Sequence, residues 1–324
     1  MKANAAITAD ISDLPPDELV RQLNVVYHQV EASIFDRSHP EIWVEEAPVF
    51  RGLVTLAGKQ LPQERLSVLD FGCGTGFATY QTLSALGTNR ISHLCCCDQS
   101  AAMMGQCKKR ILPLFPEAEF SLSPEQLLAD PSRAGRYDLV ITNAVLHHIL
   151  DWQSLVRKLV RLLRPGGFYL MGHEPSVRFT NNREIQEACA SFLREWRWRK
   201  YFLISQWVCA IRRRLPPRID APRMTSVIAQ KRGLIKRRLS PDHIRAIVDL
   251  HVPNASWEDC KGFDLEAIKT ALSPDLSFVA AKAYGFFFAL VGRDLSVKWR
   301  RKEETLAEKY PMDGATFSAL WRKA

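Results

Sequence analysis

Residues 66–77 read LSVLDFGCGTGF and combine a short apolar run with three closely spaced glycines. The run Leu66–Phe71 is typical of a buried strand in a parallel sheet. The glycines at 72, 74 and 76 permit positive φ angles and let a ligand approach the backbone closely. A helix is predicted to begin directly after them, so the turn presents backbone N–H groups at a helix N-terminus. This stretch therefore predicts a strand–loop–helix ligand site.

The alternation of short apolar runs and amphipathic stretches continues beyond this motif. Buried strands are predicted at 93–97, 137–142 and 168–171, and helices at 19–34, 48–59, 77–86, 100–111 and 151–163. This order predicts a doubly wound, Rossmann-like, mostly parallel α/β sheet with right-handed crossovers. Further strands at 277–283 and 286–291, separated by little more than Tyr284-Gly285, predict a closing antiparallel hairpin.

Changes in pattern divide the chain into five predicted parts. The α/β alternation occupies 61–175 and stops for a long helical, basic and aromatic stretch before strand signals return. We therefore predict N-terminal helices that cover the site at 1–60, a core at 61–175, a helical insertion at 176–260, the completion of the sheet at 261–295 and a helical tail at 296–324, with a last short helix at 315–321.

Two cofactor classes compete for the glycine loop. Asp98 closes the second strand 22 residues after Gly76, where a carboxylate binds ribose hydroxyls in dinucleotide folds. A nicotinamide fingerprint, G-x-G-x-x-G, requires glycine at position 77, which is Phe77 here. Asp70 stands two residues before the first glycine, where a carboxylate repels a pyrophosphate and attracts an ammonium group. S-adenosylmethionine carries an ammonium group and a sulfonium cation, so the loop favours it over NAD.

Four stretches in order carry a family resemblance: VLDFGCGTG, CCDQSAAMM, YDLVITNAVLHHI and LLRPGGFYLMGHEP. They resemble the class I S-adenosylmethionine-dependent methyltransferases, in particular the small-molecule branch. The resemblance is strong over about 66–175 and rests on pattern alone over 265–292. It implies a seven-stranded sheet, S-adenosylmethionine as cofactor and methyl transfer as the reaction.

The resemblance also implies the cofactor-binding residues, which are Asp70, Gly72, Cys73, Gly74, Gly76, Asp98, Gln99 and Asn143. The glycine loop is expected against the methionine moiety with Asp70 below it, and Asn143 near the sulfonium. Asp98 is expected on the ribose diol and Gln99 beside the adenine. The family's acidic turn after the third strand is not clearly matched: Ser123 and Glu125 both fit, so adenine recognition stays open.

Histidines and a glutamate follow the later strands, where ligands bind in such sheets. Methyl transfer is an in-line displacement in which the enzyme aligns the nucleophile and excludes water, and a histidine can remove the acceptor's proton. We therefore expect catalytic roles for His147, His148 and Glu174. Tyr27, His173 and Trp207 are expected to bind the acceptor.

The cysteine content and the N-terminal sequence indicate whether disulfides, a metal site and a secretory location are to be expected. The chain has 324 residues and eight cysteines, with no C-x-x-C pair matched by a second pair or by histidine. We therefore expect reduced, structural thiols and neither a disulfide framework nor a metal site. Because no apolar signal segment is visible, the expectation is a cytoplasmic protein.

Basic residues are concentrated in the second half of the chain. Residues 1–175 contain 16 Lys/Arg and 19 Asp/Glu, whereas the net charge of the whole chain is +9. Residues 194–238 contain 14 Lys/Arg against Glu195 and Asp220. Two interpretations stay open: an anionic partner, or a solvated surface. For the aromatic-basic stretch at 191–219 the alternatives are an acceptor lid that meets an anionic group or a membrane surface, and a lid helix whose aromatics pack on the core.

The sequence favours a small or lipid-like acceptor, such as a biosynthetic intermediate, over nucleic acid. The stretch Asn143-Ala144-Val145-Leu146 lacks the N/D-P-P-Y/F signature of nucleobase amino-methyltransferases, and no RNA-binding module is evident. The alternatives are an RNA methyltransferase that uses the basic insertion and a non-catalytic binding protein with the same fold. The methylated atom and the oligomeric state stay open.

Overall fold

The computed structural model describes residues 11–62, 64–202, 220–251, 262–273, 275–291 and 295–324. Its centre is a seven-stranded sheet of strand order β3-β2-β1-β4-β5-β7-β6. The strands are β1 Leu66–Phe71, β2 Ile91–Cys97, β3 Glu119–Ser121, β4 Tyr137–Asn143, β5 Leu163–Pro175, β6 Leu276–Tyr284 and β7 Thr316–Lys323. β1 to β5 pair in parallel, and β7 is antiparallel to both β5 and β6. The predicted mostly parallel sheet with an antiparallel closing pair is confirmed.

Helices cover both faces of the sheet. They are α1 Pro16–Glu31, α2 Phe35–Ser38, α3 Ala47–Gln60, α4 Phe77–Leu86, α5 Ala101–Ile111, α6 Pro124–Ala129, α7 Trp152–Leu162, α8 Val177–Asn181, α9 Arg183–Phe202, α10 Ala221–Lys231, α11 Pro241–Val248, α12 Leu265–Leu272, α13 Phe288–Val291 and α14 Val297–Lys309. Val68 packs with α3, α4 and α5 on one face, while its neighbour Leu69 packs with α7 and α12 on the other. Adjacent residues of β1 thus serve two cores, which explains why the run is apolar throughout.

The prediction of the closing pair was wrong in its second strand. β6 lies where a strand was predicted, but 286–291 is not its partner, because α13 begins at Phe288. Phe287 and Phe288 are buried with Phe192 and Trp299 in a separate hydrophobic cluster. The partner of β6 is β7, within the tail that was predicted to be helical. A short apolar run is compatible with a strand or a helix. Here packing against α9 and α14 favours the helix α13.

The insertion between β5 and β6 is helical where it is described, as predicted. Its helices α10 and α11 pack against α1 around Leu19, Leu23 and Ile244. The central part of the expected acceptor lid, including Trp207 and Arg212 to Arg214, lies outside the described residues. Among the helices of the described ranges, none is long and apolar enough to cross a membrane.

Candidate active site

A cavity of about 980 Å³ lies at the carboxyl ends of β1, β2, β4 and β5. The loops after these four strands form its floor, and α1 lies across it. The described lining includes most of the predicted site residues: Tyr27, Gly72, Cys73, Gly74, Asp98, Gln99, Asn143, His147, His148 and His173. The expectation that N-terminal helices cover the site agrees with this placement of α1.

The glycine loop is shaped to leave open space above it. Gly72, Gly74 and Gly76 all have positive φ angles. A Cβ atom added at Gly74 would have no atom within 4 Å, so this backbone faces the cavity directly. At Gly76 an added Cβ would lie 3.0 Å from Sγ of Cys107, so this glycine is needed for close packing of the loop on α5. Gly74 is therefore the point where the loop backbone is open to the cavity.

Asp98 connects the end of β2 to the glycine loop. Its Oδ2 accepts a hydrogen bond from the Gly74 N–H at 2.8 Å, and its Oδ1 accepts one from the Ser100 N–H at 2.7 Å. Burial raises the pKa of Asp98, and these two donors oppose the shift. Each carboxylate oxygen accepts about two hydrogen bonds, so both keep capacity for the hydroxyls of a ribose.

Asn143 supplies an unused polar atom at the end of β4. Its Oδ1 is buried and has no hydrogen-bond partner in the described structure, although Asn143 lines the cavity. A Cβ atom at Gly172 would lie 2.0 Å from this Oδ1, so the amide occupies room that only glycine at 172 leaves. A buried amide oxygen without a partner favours a ligand that carries a hydrogen-bond donor or a positive charge. The ammonium group of S-adenosylmethionine meets this requirement.

Asp70 does not reach the cavity wall. It is completely buried behind the glycine loop, where its Oδ2 accepts a hydrogen bond from the Thr79 hydroxyl at 2.5 Å. Burial, assisted by Cys96, raises the pKa of Asp70 to about 8. Direct ligand contact was predicted for Asp70 and Gly76, but the structure places both behind the wall, where they support the loop.

One side of the cavity is lined by Gln99, for which the sequence predicts a place beside the adenine, and by α6, a short helix that follows β3. Of the two candidates left open by the sequence, Glu125 on α6 lies in the cavity lining, whereas Ser123 does not. Cys73 faces the same cavity and is buried with Cys96 and Cys107. The six cysteines within the described ranges are all free, as expected of structural thiols.

His147 and Glu174 form a buried pair beside the cavity. Nδ1 of His147 lies 2.8 Å from Oε2 of Glu174, which also accepts the His147 backbone N–H at 3.1 Å. Oε1 of Glu174 accepts the backbone N–H groups of Val145 and Leu146 at 3.1 and 2.8 Å. Glu174 thus caps the 3₁₀ turn Leu146–His148 and orients the imidazole. It has no exposure and does not line the cavity, so the predicted direct catalytic contact of Glu174 is replaced by a positioning role.

Burial sets the charge state of this pair. It lowers the pKa of His147 to about 3 and raises that of Glu174 to about 7. The imidazole is therefore neutral at physiological pH. Because Nδ1 faces Glu174, the nitrogen left for the cavity is Nε2.

His148 belongs to a second cluster, with Asp249 and His28. Its Nδ1 lies 2.8 Å from the Val248 carbonyl oxygen and 3.3 Å from Oδ1 of Asp249. The rings of His28 and His148 are 5.1 Å apart. Candidate ligand atoms of His147, His148 and Asp249 lie within 4.8 Å of one another, so this group could hold a metal ion, which the sequence did not suggest.

His173 faces the cavity from the end of β5 in a left-handed conformation, with φ of 53°. Its Nδ1 lies 2.9 Å from Oε2 of Glu46 and 3.2 Å from the Tyr284 hydroxyl. Burial alone lowers the pKa of His173, but the Glu46 carboxylate outweighs this and raises it. Tyr27, the other predicted acceptor residue in the described chain, lines the cavity from α1.

A polar network connects the N-terminal helices to the glycine loop. Nη1 of Arg110 donates to the Thr75 carbonyl at 2.7 Å, and Nη2 of Arg110 donates to Asp36 on α2. The Thr75 hydroxyl donates to Oδ1 of Asp36 at 2.9 Å. The Arg110 guanidinium also lies 5.0 Å from the ring centre of Trp43. This network, the Asp36–Arg110 clasp, holds the cover against the cofactor loop.

The charged groups of the lining are mainly acidic. Arg21 and Lys158 are the cations other than histidine among the described lining residues. The carboxylates are Asp17, Glu18, Glu31, Asp98, Glu125, Asp151 and Asp249. An acidic cavity attracts a cationic cofactor. The lysines and arginines beyond residue 176 contribute nothing to the described lining, so the expectation of an anionic acceptor has no support there.

Sequence reasoning missed Asp36, Glu46 and Asp249. Each lies far along the chain from its partner, respectively Arg110, His173 and His148. None stands at the end of a predicted strand, the signal that marked most of the predicted site residues. Their roles follow from the packing of α1 to α3 and α11 over the sheet.

The chain is similar to known methyltransferases over its central part. A family model described as a methyltransferase domain matches residues 69–169. The tRNA (carboxymethyluridine(34)-5-O)-methyltransferase ALKBH8 of Macaca fascicularis is 34% identical over 112 residues, covering 34% of this chain and 14% of that protein. The ubiquinone biosynthesis O-methyltransferase of Marinobacter nauticus is 32% identical over 115 residues, covering 35% and 43% of the two chains.

A third relative is the trans-aconitate 2-methyltransferase of Variovorax paradoxus, 31% identical over 129 residues that cover 40% of this chain and 44% of that protein. The chain thus spans less than half the length of each of these relatives. The matched residues contain the glycine loop, Asp98, Asn143 and the His147–His148 turn, and S-adenosylmethionine is the methyl donor of this family. Residues 69–169 are therefore a methyltransferase domain of the class I S-adenosylmethionine-dependent type.

Proposed function

We propose that the protein transfers the methyl group of S-adenosylmethionine to a small organic acceptor, with His147 accepting the acceptor's proton. The pair of His147 and Glu174, 2.8 Å apart, is the observation that carries this proposal. Nδ1 of His147 is engaged, so its neutral Nε2 is the basic atom at the cavity. Burial opposes protonation of this imidazole, and the Glu174 carboxylate at Nδ1 offsets part of that cost.

The residues that line the cavity fit the cofactor. The open backbone at Gly74 and the free Oδ1 of Asn143 would hold the methionine part, and Asp98 would hold the ribose. Glu125 and Gln99 would flank the adenine. When bound, the cofactor supplies an electrophilic methyl group on a sulfonium. The protein's own contribution is to orient the acceptor, exclude water and remove the proton.

A small acceptor is supported by the composition of the cavity wall. A nucleic acid requires cations along its phosphates, and the described lining carries seven carboxylates against Arg21 and Lys158. The similarity to a tRNA methyltransferase and the exposed basic residues Lys231, Arg232 and Lys236 to Arg238 favour RNA as the second candidate. A steep salt dependence of RNA affinity would favour that alternative. Location in the cytoplasm stays a prediction.

The decisive experiment is product labelling. The protein is incubated with methyl-labelled S-adenosylmethionine and, separately, a small-molecule extract or total RNA from the host, and labelled products are identified. We expect label in a small molecule, and its loss in His147→Gln. Label confined to RNA would select the second candidate, and no label in either pool, despite cofactor binding, would support a binding protein without catalysis.

A further inference from the structure

Two neighbouring residues of β5, His173 and Glu174, each belong to a histidine–carboxylate pair beside the cavity. Glu174 turns away from the cavity toward His147, whereas the preceding residue, His173, faces the cavity. Nδ1 of His173 is occupied by Glu46 at 2.9 Å and the Tyr284 hydroxyl at 3.2 Å. Its Nε2 is therefore the ring nitrogen available to a ligand. The cavity thus presents one Nε2 atom from each pair.

The second pair is distinguished by the surroundings of its carboxylate, Glu46. This carboxylate has no exposure, and neither of its oxygens has a hydrogen-bond partner of good geometry in the described structure. A buried carboxylate is tolerated when it is paired with a cation. Among the described residues, His173 is the one whose ring nitrogen forms an ion pair with it. Glu46 also ends the π-helical turn Ile42–Glu46, a backbone form that is frequent at functional sites.

The backbone of His173 adds a second observation. Its φ of 53° is one of two positive values at non-glycine residues in the described chain, the other being Ala144. Such a conformation costs free energy and persists where the surroundings impose it. The His173 N–H donates to the Ser318 hydroxyl at 3.3 Å, and that hydroxyl lies 3.2 Å from the Tyr284 hydroxyl. The imidazole is therefore held by Tyr284 of β6 and by Glu46 of the π-helical turn, and the His173 backbone by Ser318 of β7.

The two imidazoles differ in their carboxylate partners, because Glu174 contacts His147 and Glu46 contacts His173. Burial alone lowers the pKa of His173, but Glu46 and then Glu41 outweigh burial and raise it. The titratable groups that influence His173 are Glu41, Glu45, Glu46, His147, Glu174 and Tyr284.

We propose that His173, held by Glu46 and Tyr284, binds the acceptor oxygen that becomes negatively charged, and that the acceptor is a phenol or an enol. This inference rests on the proposed function and names its substrate class. The acceptor's O–H proton moves to Nε2 of His147, and the negative charge stays on the oxygen beside His173. The acceptor atom then bonds to the methyl carbon as its carbon–sulfur bond breaks, which leaves a thioether and a protonated His147.

The acidic lining of the cavity favours an acceptor that is uncharged when it binds. Its seven carboxylates oppose a ligand that is anionic from the start. A neutral phenol or enol avoids that cost and acquires its charge next to an imidazole that is paired with a buried carboxylate. A preorganised cation there stabilises the charge that develops on the oxygen when its proton leaves.

The test uses 4-nitrophenol, whose ionisation is followed by its absorbance, added to the full protein in the presence of S-adenosylhomocysteine. We expect the apparent pKa of bound nitrophenol to fall by about one unit, a tenfold shift in its ionisation equilibrium. His173→Asn should abolish this shift, because asparagine tolerates a left-handed backbone but carries no charge. Glu46→Gln should reduce it, and His147→Gln should retain it.

The outcomes separate the inference from the proposed function. If S-adenosylhomocysteine does not bind by calorimetry, the proposed function fails. If it binds, but nitrophenol does not bind or its ionisation shifts equally in wild type and His173→Asn, the inference alone is overturned. A thermal melt of each variant verifies the fold, and His173→Asn suffices for the test if Glu46→Gln is unstable.

Discussion

Nδ1 of His147 lies 2.8 Å from Oε2 of Glu174, and the same carboxylate accepts three backbone N–H groups from the turn that carries His147. One buried side chain therefore fixes both the position of the turn and the orientation of the imidazole. This is a positioning relationship: Glu174 has no exposure, so under the proposed function it would act on the acceptor only through His147.

Replacing His147 tests the base directly. His147→Gln should lower kcat by about 10²–10⁴, the range expected for loss of a positioned proton acceptor. S-adenosylhomocysteine affinity should stay within roughly twofold, since the cofactor loops are untouched. His93 serves as the control because it is a half-buried histidine near a carboxylate, 3.4 Å from Glu119 and outside the cavity lining. Equal activity of His147→Gln and His93→Gln would contradict the assignment.

Gly74 offers a test of the cofactor site. Gly74→Arg should abolish S-adenosylhomocysteine binding in calorimetry, since the new side chain enters the open space above the loop. Gly135 controls for backbone strain: its φ is also positive, and an added Cβ there has open space as well, but it does not line the cavity. Gly135→Arg should bind the ligand within roughly twofold of wild type. A parallel loss of binding in both variants would mean that strain, and not the site, is responsible.

Asp98 is expected to contribute to cofactor binding in two ways, by contacting the ligand and by holding the glycine loop in place. Asp98→Ala removes charge-assisted hydrogen bonds worth roughly 1.5–3 kcal/mol each. It also frees the Gly74 N–H, which Asp98 holds at 2.8 Å. Cofactor affinity should fall by about ten- to a hundredfold. A change below about twofold in calorimetry would show that the ribose lies elsewhere.

The sequence predicted the central elements because their signals are local. β1 was placed at its observed bounds, and α4 likewise, since the apolar run and the glycines that follow it depend on neighbouring residues alone. Ser100 and Asp151 cap α5 and α7 with side-chain hydrogen bonds, which explains why those helices begin near the predicted residues.

The remaining parts depend on contacts between distant segments. β7 was taken for a helix, but Leu320 and Trp321 are buried between β5 and β6, and pairing with both determines its state. The sequence identified the site residues that lie at strand ends. It did not identify Asp249 and Glu46, which lie at the ends of helices, because no comparable sequence signal marks those positions. Glu174 was found by its position, but its role depends on burial, which the sequence does not show.

His39 should make stability depend on pH. It lies 3.2 Å from Oε1 of Glu31 and 3.0 Å from Oε1 of Glu41. Burial alone lowers its pKa, but the two carboxylates outweigh this and raise it to about 10. The folded-state pKa is above the unfolded value of about 6.5, so the stabilisation is complete below about pH 6.5 and is lost as the pH rises through 10.

Urea titrations of wild type and His39→Gln measure this effect. The difference in their free energies of unfolding should be larger near pH 6 than near pH 10. In the Glu31→Gln, Glu41→Gln background that pH dependence should shrink, because the cation has lost its partners. A difference that is independent of pH in the wild-type background would show that His39 contributes only by packing.

The Asp36–Arg110 clasp should control how tightly the N-terminal cover closes on the cofactor. Arg110 holds the Thr75 carbonyl at 2.7 Å and pairs with Asp36, so it connects α2 to the loop that touches the ligand. Asp36→Asn removes the charge of the pair while keeping its size. We expect S-adenosylhomocysteine to bind roughly tenfold more weakly, mainly through faster dissociation, as measured by stopped-flow displacement.

A second arginine–carboxylate pair controls for stability in this last test. Arg133 and Glu119 are similarly half-buried, but they join β3 to the turn after α6, and neither lines the cavity. Glu119→Gln should therefore lower the melting temperature without changing the dissociation rate. If both variants accelerate dissociation to the same extent, general destabilisation explains the result. If only Asp36→Asn does so, closure of the cover depends on the clasp, because the two pairs differ in whether they connect to the glycine loop.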